Sequence, residues 1–302
     1  MIRVLVTGAG GQVGTEVARA LAGRAEVVAH DRESLDVSDP GRLIERIREA
    51  APHAIVNAAA YTAVDRAENE PEAAHTVNAV APAIMAAEAL RSGALLVHFS
   101  TDYVFDGTKR TPYVEADETH PLGIYGRTKR DGERAVLESG AAAIVLRTAW
   151  VYGPHGRNFM LTMLRLAAKG EPLRVVDDQR GAPTTSLAIA RCVASILATG
   201  SMAGEITAES LARAAGARGL YHATASGEAT WYGFARAIFD ERSRTVPGFA
   251  APGLTPIKTS EYPTPAKRPA YSLLDNGKLE RTFGIALGDW REGLAEALSA
   301  LA

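Results

Sequence analysis

The chain has 302 residues, 47% hydrophobic and 23% charged, with 28 Gly and 15 Pro, which excludes a wholly disordered or collagen-like polymer. Lys and Arg number 33 against 35 Asp and Glu, a formal net charge of −2, so no strong field recruits nucleic acid or an anionic membrane. The single cysteine, Cys192, excludes an intrachain disulfide and suits a reducing compartment.

No apolar run approaches the ~20 residues that span a bilayer. The opening "MIRVLVTGAG" is broken at once by glycines and lacks the form of a signal peptide. A soluble, cytoplasmic protein is the expectation. The length suits one large domain, or a large one and a small one.

Short apolar runs at 2–7, 26–30, 54–57, 95–100, 143–148 and 174–176 predict strands. They are continuous rather than alternating, as parallel strands buried on both faces require. Helical stretches lie between them at 12–22, 40–50, 71–92, 127–139, 158–169 and 184–199. In the first, Val13, Val17 and Leu21 recur every four residues and form one apolar stripe. The alternation predicts a doubly wound parallel α/β sheet of the Rossmann type, with ligands beyond the carboxyl ends of the strands.

The last third reads differently. Pro256, Pro263, Pro265 and Pro269 mark an irregular stretch between helices near 230–241 and 289–301. The reading is a dinucleotide-binding domain over 1–152, joined by helices and a strand from 158–200. A smaller, mixed C-terminal substrate lobe covers 220–302. The alanine-rich segment 203–218 reads as a weakly helical surface insertion.

The first strand runs into Gly8-Ala9-Gly10-Gly11-Gln12-Val13-Gly14 and then a helix. Glycines at Gly8 and Gly11 let the backbone turn tightly and approach a pyrophosphate, and the helix start offers free N–H groups. The second strand ends at Asp31-Arg32, with Asp31 seventeen residues past Gly14. An acid about 20 residues on holds a ribose hydroxyl in NAD sites, whereas a neighbouring arginine accommodates the 2′-phosphate of NADP. Both residue types are present, so NADPH or NADH remains open. Asp36 and Val37 are placed to border the adenine.

Tyr125 and Lys129 stand four residues apart at a helix start and share a face. A phenol of pKa ~10 takes part in proton transfer at neutral pH when its anion is stabilised, and a lysine one turn away can do that. Such a tyrosine acts as general acid when a carbonyl is reduced. Thr101, at the end of the fourth strand, can hydrogen-bond the same carbonyl oxygen.

These residues together resemble the extended short-chain dehydrogenase/reductase superfamily and, within it, the dTDP-4-dehydrorhamnose reductase family. The resemblance covers nearly the whole chain. It rests on "GQVG" (11–14), "IVNAAAYTAVDRAENEP" (55–71), "STDYVFDG" (100–107), "YGRTK" (125–129), "RTAWVYG" (147–153), "DQRGAPT" (178–184), "LYHATASGEATW" (220–231) and "YPTPAKRPAYSLLD" (262–275).

What the resemblance implies is reduction, by NADPH or NADH, of the C4 keto group of a dTDP-linked 4-keto-6-deoxyhexose. Tyr125 would give the proton, Lys129 would stabilise the tyrosinate and hold the nicotinamide ribose, and Thr101 would tune the site. Gly11, Gln12 and Val13 would cradle the pyrophosphate; Asp31, Asp36 and Val37 fall on adenosine-side positions, and Ala60, Tyr61 and Thr62 line the cofactor. Asp102 and Trp150 fall on sugar-contacting positions. Asn158, Arg180 and Arg268 are candidates for the substrate diphosphate, which needs cationic or N–H partners. Trp290 and Lys267 read as packing and solvated groups.

Some members of this family pair subunits through glutamates around Mg²⁺. Glu16 fits one such position, but the others fall on Leu187 and near Ala300, which offer no oxygen side chain. No bound metal is expected, and the chain reads as a monomer or weak homodimer. Dehydratases of the superfamily place Glu after Thr-Asp, where this chain has Tyr103. Sugar epimerases, and dinucleotide-binding regulatory subunits of methionine adenosyltransferase, are the other readings of the same framework.

Overall fold

The computed structural model describes residues 1–201 and 203–301, and Ala302, the last residue of the expected lobe, lies outside them. Five strands arrive in the order read from the sequence: β1 (Arg3–Thr7), β2 (Glu26–His30), β3 (Ala54–Asn57), β4 (Leu95–Thr101) and β5 (Ala143–Thr148). The sheet has six strands, ordered Gly219–His222, β5, β4, β3, β1, β2, and each pair is parallel. β4 and β5 are buried at every residue, whereas β2 at the edge is partly open.

Burial on both faces follows from alternation within each strand. Val4, Val6, Val56, Val97, Ile144 and Leu146 face the side packed by α1 (Gln12–Leu21) and the helix Ser186–Leu197. Leu5, Ile55, Leu96 and Val145 face the side packed by α2 (Pro40–Ala50) and the helix Ala81–Ser92. The inner strands therefore meet helices on both faces, which explains their unbroken apolar runs.

Three expectations are corrected. The run at 174–176 does not join the main sheet: Leu173–Val176 pairs with Leu254–Ile257 in a separate two-stranded ladder. That second strand contains Pro256, at an edge where a missing N–H is tolerated. The sixth strand of the main sheet is Gly219–His222, so the expected lobe boundary at 220 falls inside it.

Segment 203–218 is not a surface insertion. Thr207 and Ser210 form a reciprocal capping box at the start of the helix Ala208–Gly216, and Ile206, Leu211 and Ala214 are buried in the main core. The alanines hid this stripe, because so few large side chains mark it.

The C-terminal helix Gly277–Phe283 packs on the main core through Leu279, whereas other C-terminal elements gather around Tyr152, Met160, Phe234, Phe239 and Trp290. This cluster sits beyond the main sheet and includes the helices Trp231–Thr245 and Trp290–Ser299. Trp290 is 3% exposed, as a packing residue should be. Among the described residues, no helix is long and apolar enough to cross a membrane.

Candidate active site

The glycine loop is shaped by backbone contacts. Gly8 takes φ +70°, and a Cβ there would lie 2.6 Å from the amide nitrogen of Ala59, so no other residue fits the turn. A Cβ on Gly14 would overlap the Gly8 carbonyl, which lets α1 start hard against the loop. Gly11 is the N-cap of α1 and supplies no side-chain cap, leaving N–H groups of the first turn free for an anion.

A cavity of about 980 Å³ opens over this loop, bordered by Gly8 and Gly11. Asp31, Arg32, Asp36 and Val37 form one wall, and Ala60, Tyr61 and Thr62 another. The Asp31 carboxylate accepts from the amide and hydroxyl of Ser34 at 2.9 and 2.7 Å, and these bonds hold its pKa below the usual carboxylate range. Asp36 is lowered in the same way by Ser38. The Arg32 guanidinium is 90% exposed and 3.9 Å from Asp36, free to meet an added charge.

A second cavity of about 420 Å³ shares Gly11, Ala58, Ala59, Ala60 and Thr62 with the first, so the two adjoin along these residues. Its walls carry Gln12, Val13, Thr101, Asp102, Tyr125 and Lys129. Trp150, Arg157 and Trp231 close its far side. The buried hydroxyls of Ser100 and Thr148, also in this lining, have no hydrogen-bond partner within the protein. A glycine cradle, a long groove and unpartnered hydroxyls at its inner end fit a dinucleotide.

Each proton-bearing group is positioned by an identifiable element. Thr101 ends β4, and its hydroxyl donates to Asp102 at 3.0 Å while accepting from the Tyr103 amide at 3.2 Å. Tyr125 and Lys129 lie on the first turns of the helix Ile124–Leu137. A Cβ on Gly126 would meet the Tyr103 carbonyl and Pro121, so glycine there lets the helix press onto the Thr101 segment.

Burial dominates the electrostatics. It pushes the Tyr125 phenol up to about 12, with the Thr101 hydroxyl opposing and the Asp102 carboxylate adding to the rise. It pulls the Lys129 ammonium down to about 8, against the attraction of Glu133. The Asp102 carboxyl rises to about 6 for the same reason, opposed by the hydroxyls of Ser272 and Thr101. A phenol raised in this way rests as the protonated donor, and the tyrosinate that Lys129 is expected to stabilise forms only once that proton is given up. Lys129 donates to the carbonyl of Phe99 at 2.6 Å.

Tyr103 follows Thr101 and Asp102, where the sequence reading expects a glutamate in dehydratases. Its pKa is raised by burial and by Asp102, and its ring meets Tyr125 edge-on at 5.5 Å. A phenol in that state is a poor acid for expelling a hydroxyl.

Three expected substrate residues stand outside both cavities. Asn158 caps the helix Phe159–Ala167 by accepting from Leu161 at 3.0 Å, and its amide donates to Gln12 at 2.9 Å; it positions the glycine-loop glutamine. Arg180 pairs with Glu228. Arg268 pairs with Asp65 at 2.8 Å and lies behind Tyr103.

Sequence reading missed Arg157 and Trp231 in the cavity, and Asn78 outside it. Asn78 sits in a π-helical turn, Thr76–Val80, and bonds the Tyr61 amide at 2.9 Å and Thr128 at 3.1 Å. It ties the cofactor-side loop to the Tyr125 helix, a common use of such turns. A wide turn inside an unbroken helical pattern leaves no mark in sequence.

Glu16 is buried and engaged by Arg19 and His155, both at 3.1 Å. Among the described residues, no group of three or more His, Cys, Asp or Glu could hold a metal.

The family model described as RmlD substrate binding domain matches residues 2–302. The chain belongs to this family. A dTDP-4-dehydrorhamnose reductase of Burkholderia thailandensis is 48% identical over 295 residues, 96% of each chain. A dTDP-4-dehydrorhamnose reductase structure from Clostridium acetobutylicum aligns with TM-score 0.88 and 37% identity over 99% of both chains. Another, from Bacillus anthracis in complex with NADP, aligns with TM-score 0.89 and 31% identity over the whole of both.

Proposed function

We propose that the chain catalyses NAD(P)H-dependent reduction of the C4 keto group of dTDP-4-dehydro-β-L-rhamnose to dTDP-L-rhamnose. One observation carries the reading. Thr101, Tyr125 and Lys129 border one cavity that adjoins the glycine-loop groove. The names of the relatives supply the substrate.

A reduced nicotinamide held in the groove would supply the hydride. The chain's own residues do the rest. Tyr125 gives its phenolic proton to the C4 oxygen as that oxygen gains negative charge, forming the alcohol. Thr101 donates a hydrogen bond to the same oxygen, and Asp102 and Trp150 hold the sugar. Lys129, charged at neutral pH, lowers the cost of the phenolate left on Tyr125 and reaches the ribose. Gly11, Gln12 and Val13 would hold the cofactor pyrophosphate; Asp31, Arg32, Asp36 and Val37 would face its adenosine end. Ala60, Tyr61 and Thr62 line the middle.

The reading carries a cytoplasmic monomer or weak homodimer, consistent with one buried, unpaired cysteine, Cys192. The test is incubation with dTDP-4-dehydro-β-L-rhamnose and each reduced nicotinamide in turn. Loss of reduced-nicotinamide absorbance with formation of dTDP-L-rhamnose supports the proposal. Tight dinucleotide binding without turnover favours the regulatory-subunit reading instead.

A further inference from the structure

Trp150 and Trp231 lie face to face, with ring centroids 3.6 Å apart and planes within 4° of parallel. Both border the catalytic cavity. Trp150 has φ +47°, left-handed backbone that a bulky L-residue rarely adopts. Its indole is therefore held where it is by its surroundings rather than by its own backbone preference.

The surroundings are specific. Trp231 covers one face of the Trp150 ring. Gly181 closes against its edge, where a Cβ would overlap the indole. Trp231 is itself fixed on two sides: Phe159 packs on it at 4.7 Å between centroids, and its ring N–H donates to Gln179 Oε1 at 3.1 Å. The Gln179 amide donates onward to Thr259 Oγ1 at 3.1 Å. Gln179 is 5% exposed, so its bond to the Trp231 ring is held away from water and geometrically strict, while Thr259 at the far end is exposed.

We infer that Trp231 is a positioning residue for sugar binding: held by Gln179, it fixes the Trp150 indole at the orientation that receives the hexose. The inference rests on the proposed function, in which Trp150 is the sugar-facing residue. An indole offers a flat apolar face to the C–H side of a sugar ring. A platform free to rotate would lose that contact without changing the proton donor. The consequence is a split between binding and chemistry.

The test uses the full chain labelled with fluorotryptophan, which gives one fluorine resonance for each of its three tryptophans. Trp231→Leu and Gln179→Leu should move or broaden the Trp150 resonance and leave that of Trp290 in place. They should raise KM for the keto-sugar nucleotide roughly 10-fold, with kcat and NADPH affinity little changed, the pattern of lost uniform binding. Gln179→Glu keeps an acceptor for the Trp231 N–H and should restore both readouts.

An unmoved Trp150 resonance in Gln179→Leu, or an unchanged KM alongside a moved resonance, would overturn the inference. If Trp231→Leu does not fold, Gln179→Leu decides alone. A wild-type enzyme inert towards keto-sugar nucleotides overturns the proposed function, and the resonance readout, which needs no turnover, then judges the indole pairing by itself.

Discussion

Lys129 reaches from its helix to the main-chain carbonyl of Phe99, 2.6 Å away. The ammonium is thereby anchored on β4 beside the segment that ends in Thr101. It lies between strand and helix, and its charge is sensitive to burial in a way a surface lysine's is not.

The first prediction concerns that charge. The Lys129 pKa is lowered from 10.5 to about 8 by burial. Between those values the unfolded chain holds a proton that the folded one has released, so stability rises with pH across the window. In Lys129→Met that component disappears, which urea unfolding at several pH values will show. NADPH affinity should weaken as pH rises through about 8 in the wild type and be flat there in the variant. Identical pH profiles for both proteins would contradict the ribose contact.

Asp102 gives the opposite sign. Its carboxyl is raised from 3.8 to about 6, chiefly by burial, so the folded protein holds the proton more tightly than the unfolded one. Its contribution is fully present below about 4 and is lost as pH rises through about 6. Asp102→Asn should therefore be more stable than the wild type at pH ~7 and no more stable at pH ~4. The same variant should bind the sugar nucleotide less well, a stability–activity trade-off. Thermal melts at the two pH values, with substrate KM, measure both.

Asn158 is predicted to act through Gln12. Asn158→Ala removes the cap on Leu161 and the bond to Gln12. The loss of the cap should cost about 1–2 kcal/mol, seen in denaturant unfolding. NADPH affinity should fall while KM for the keto-sugar stays close to the wild-type value. A selective rise in that KM would return Asn158 to the substrate diphosphate.

Much of this was legible in the chain. The buried strands β1, β3, β4 and β5 announce themselves because helices on both faces demand unbroken apolar runs. Gly8 and Gly14 are legible because only glycine fits their contacts, and Tyr125 and Lys129 because four residues make one helical turn. What escaped is non-local. Whether Arg268 meets a phosphate or Asp65, 203 residues away, depends on how two distant segments dock. The pairing of Trp150 with Trp231 joins residues brought together only by the C-terminal lobe. The stripe of Ile206, Leu211 and Ala214 was too sparse to rise above its alanine background.

The central claim is that the Tyr125 phenol gives its proton to the C4 oxygen. The most direct measurement is single-turnover reduction of dTDP-4-dehydro-β-L-rhamnose by Tyr125→Phe with bound NADPH. The account predicts cofactor binding like that of the wild type and a rate lower by roughly 10²–10⁴-fold. Reduction at the wild-type rate by a protein lacking that hydroxyl would contradict it.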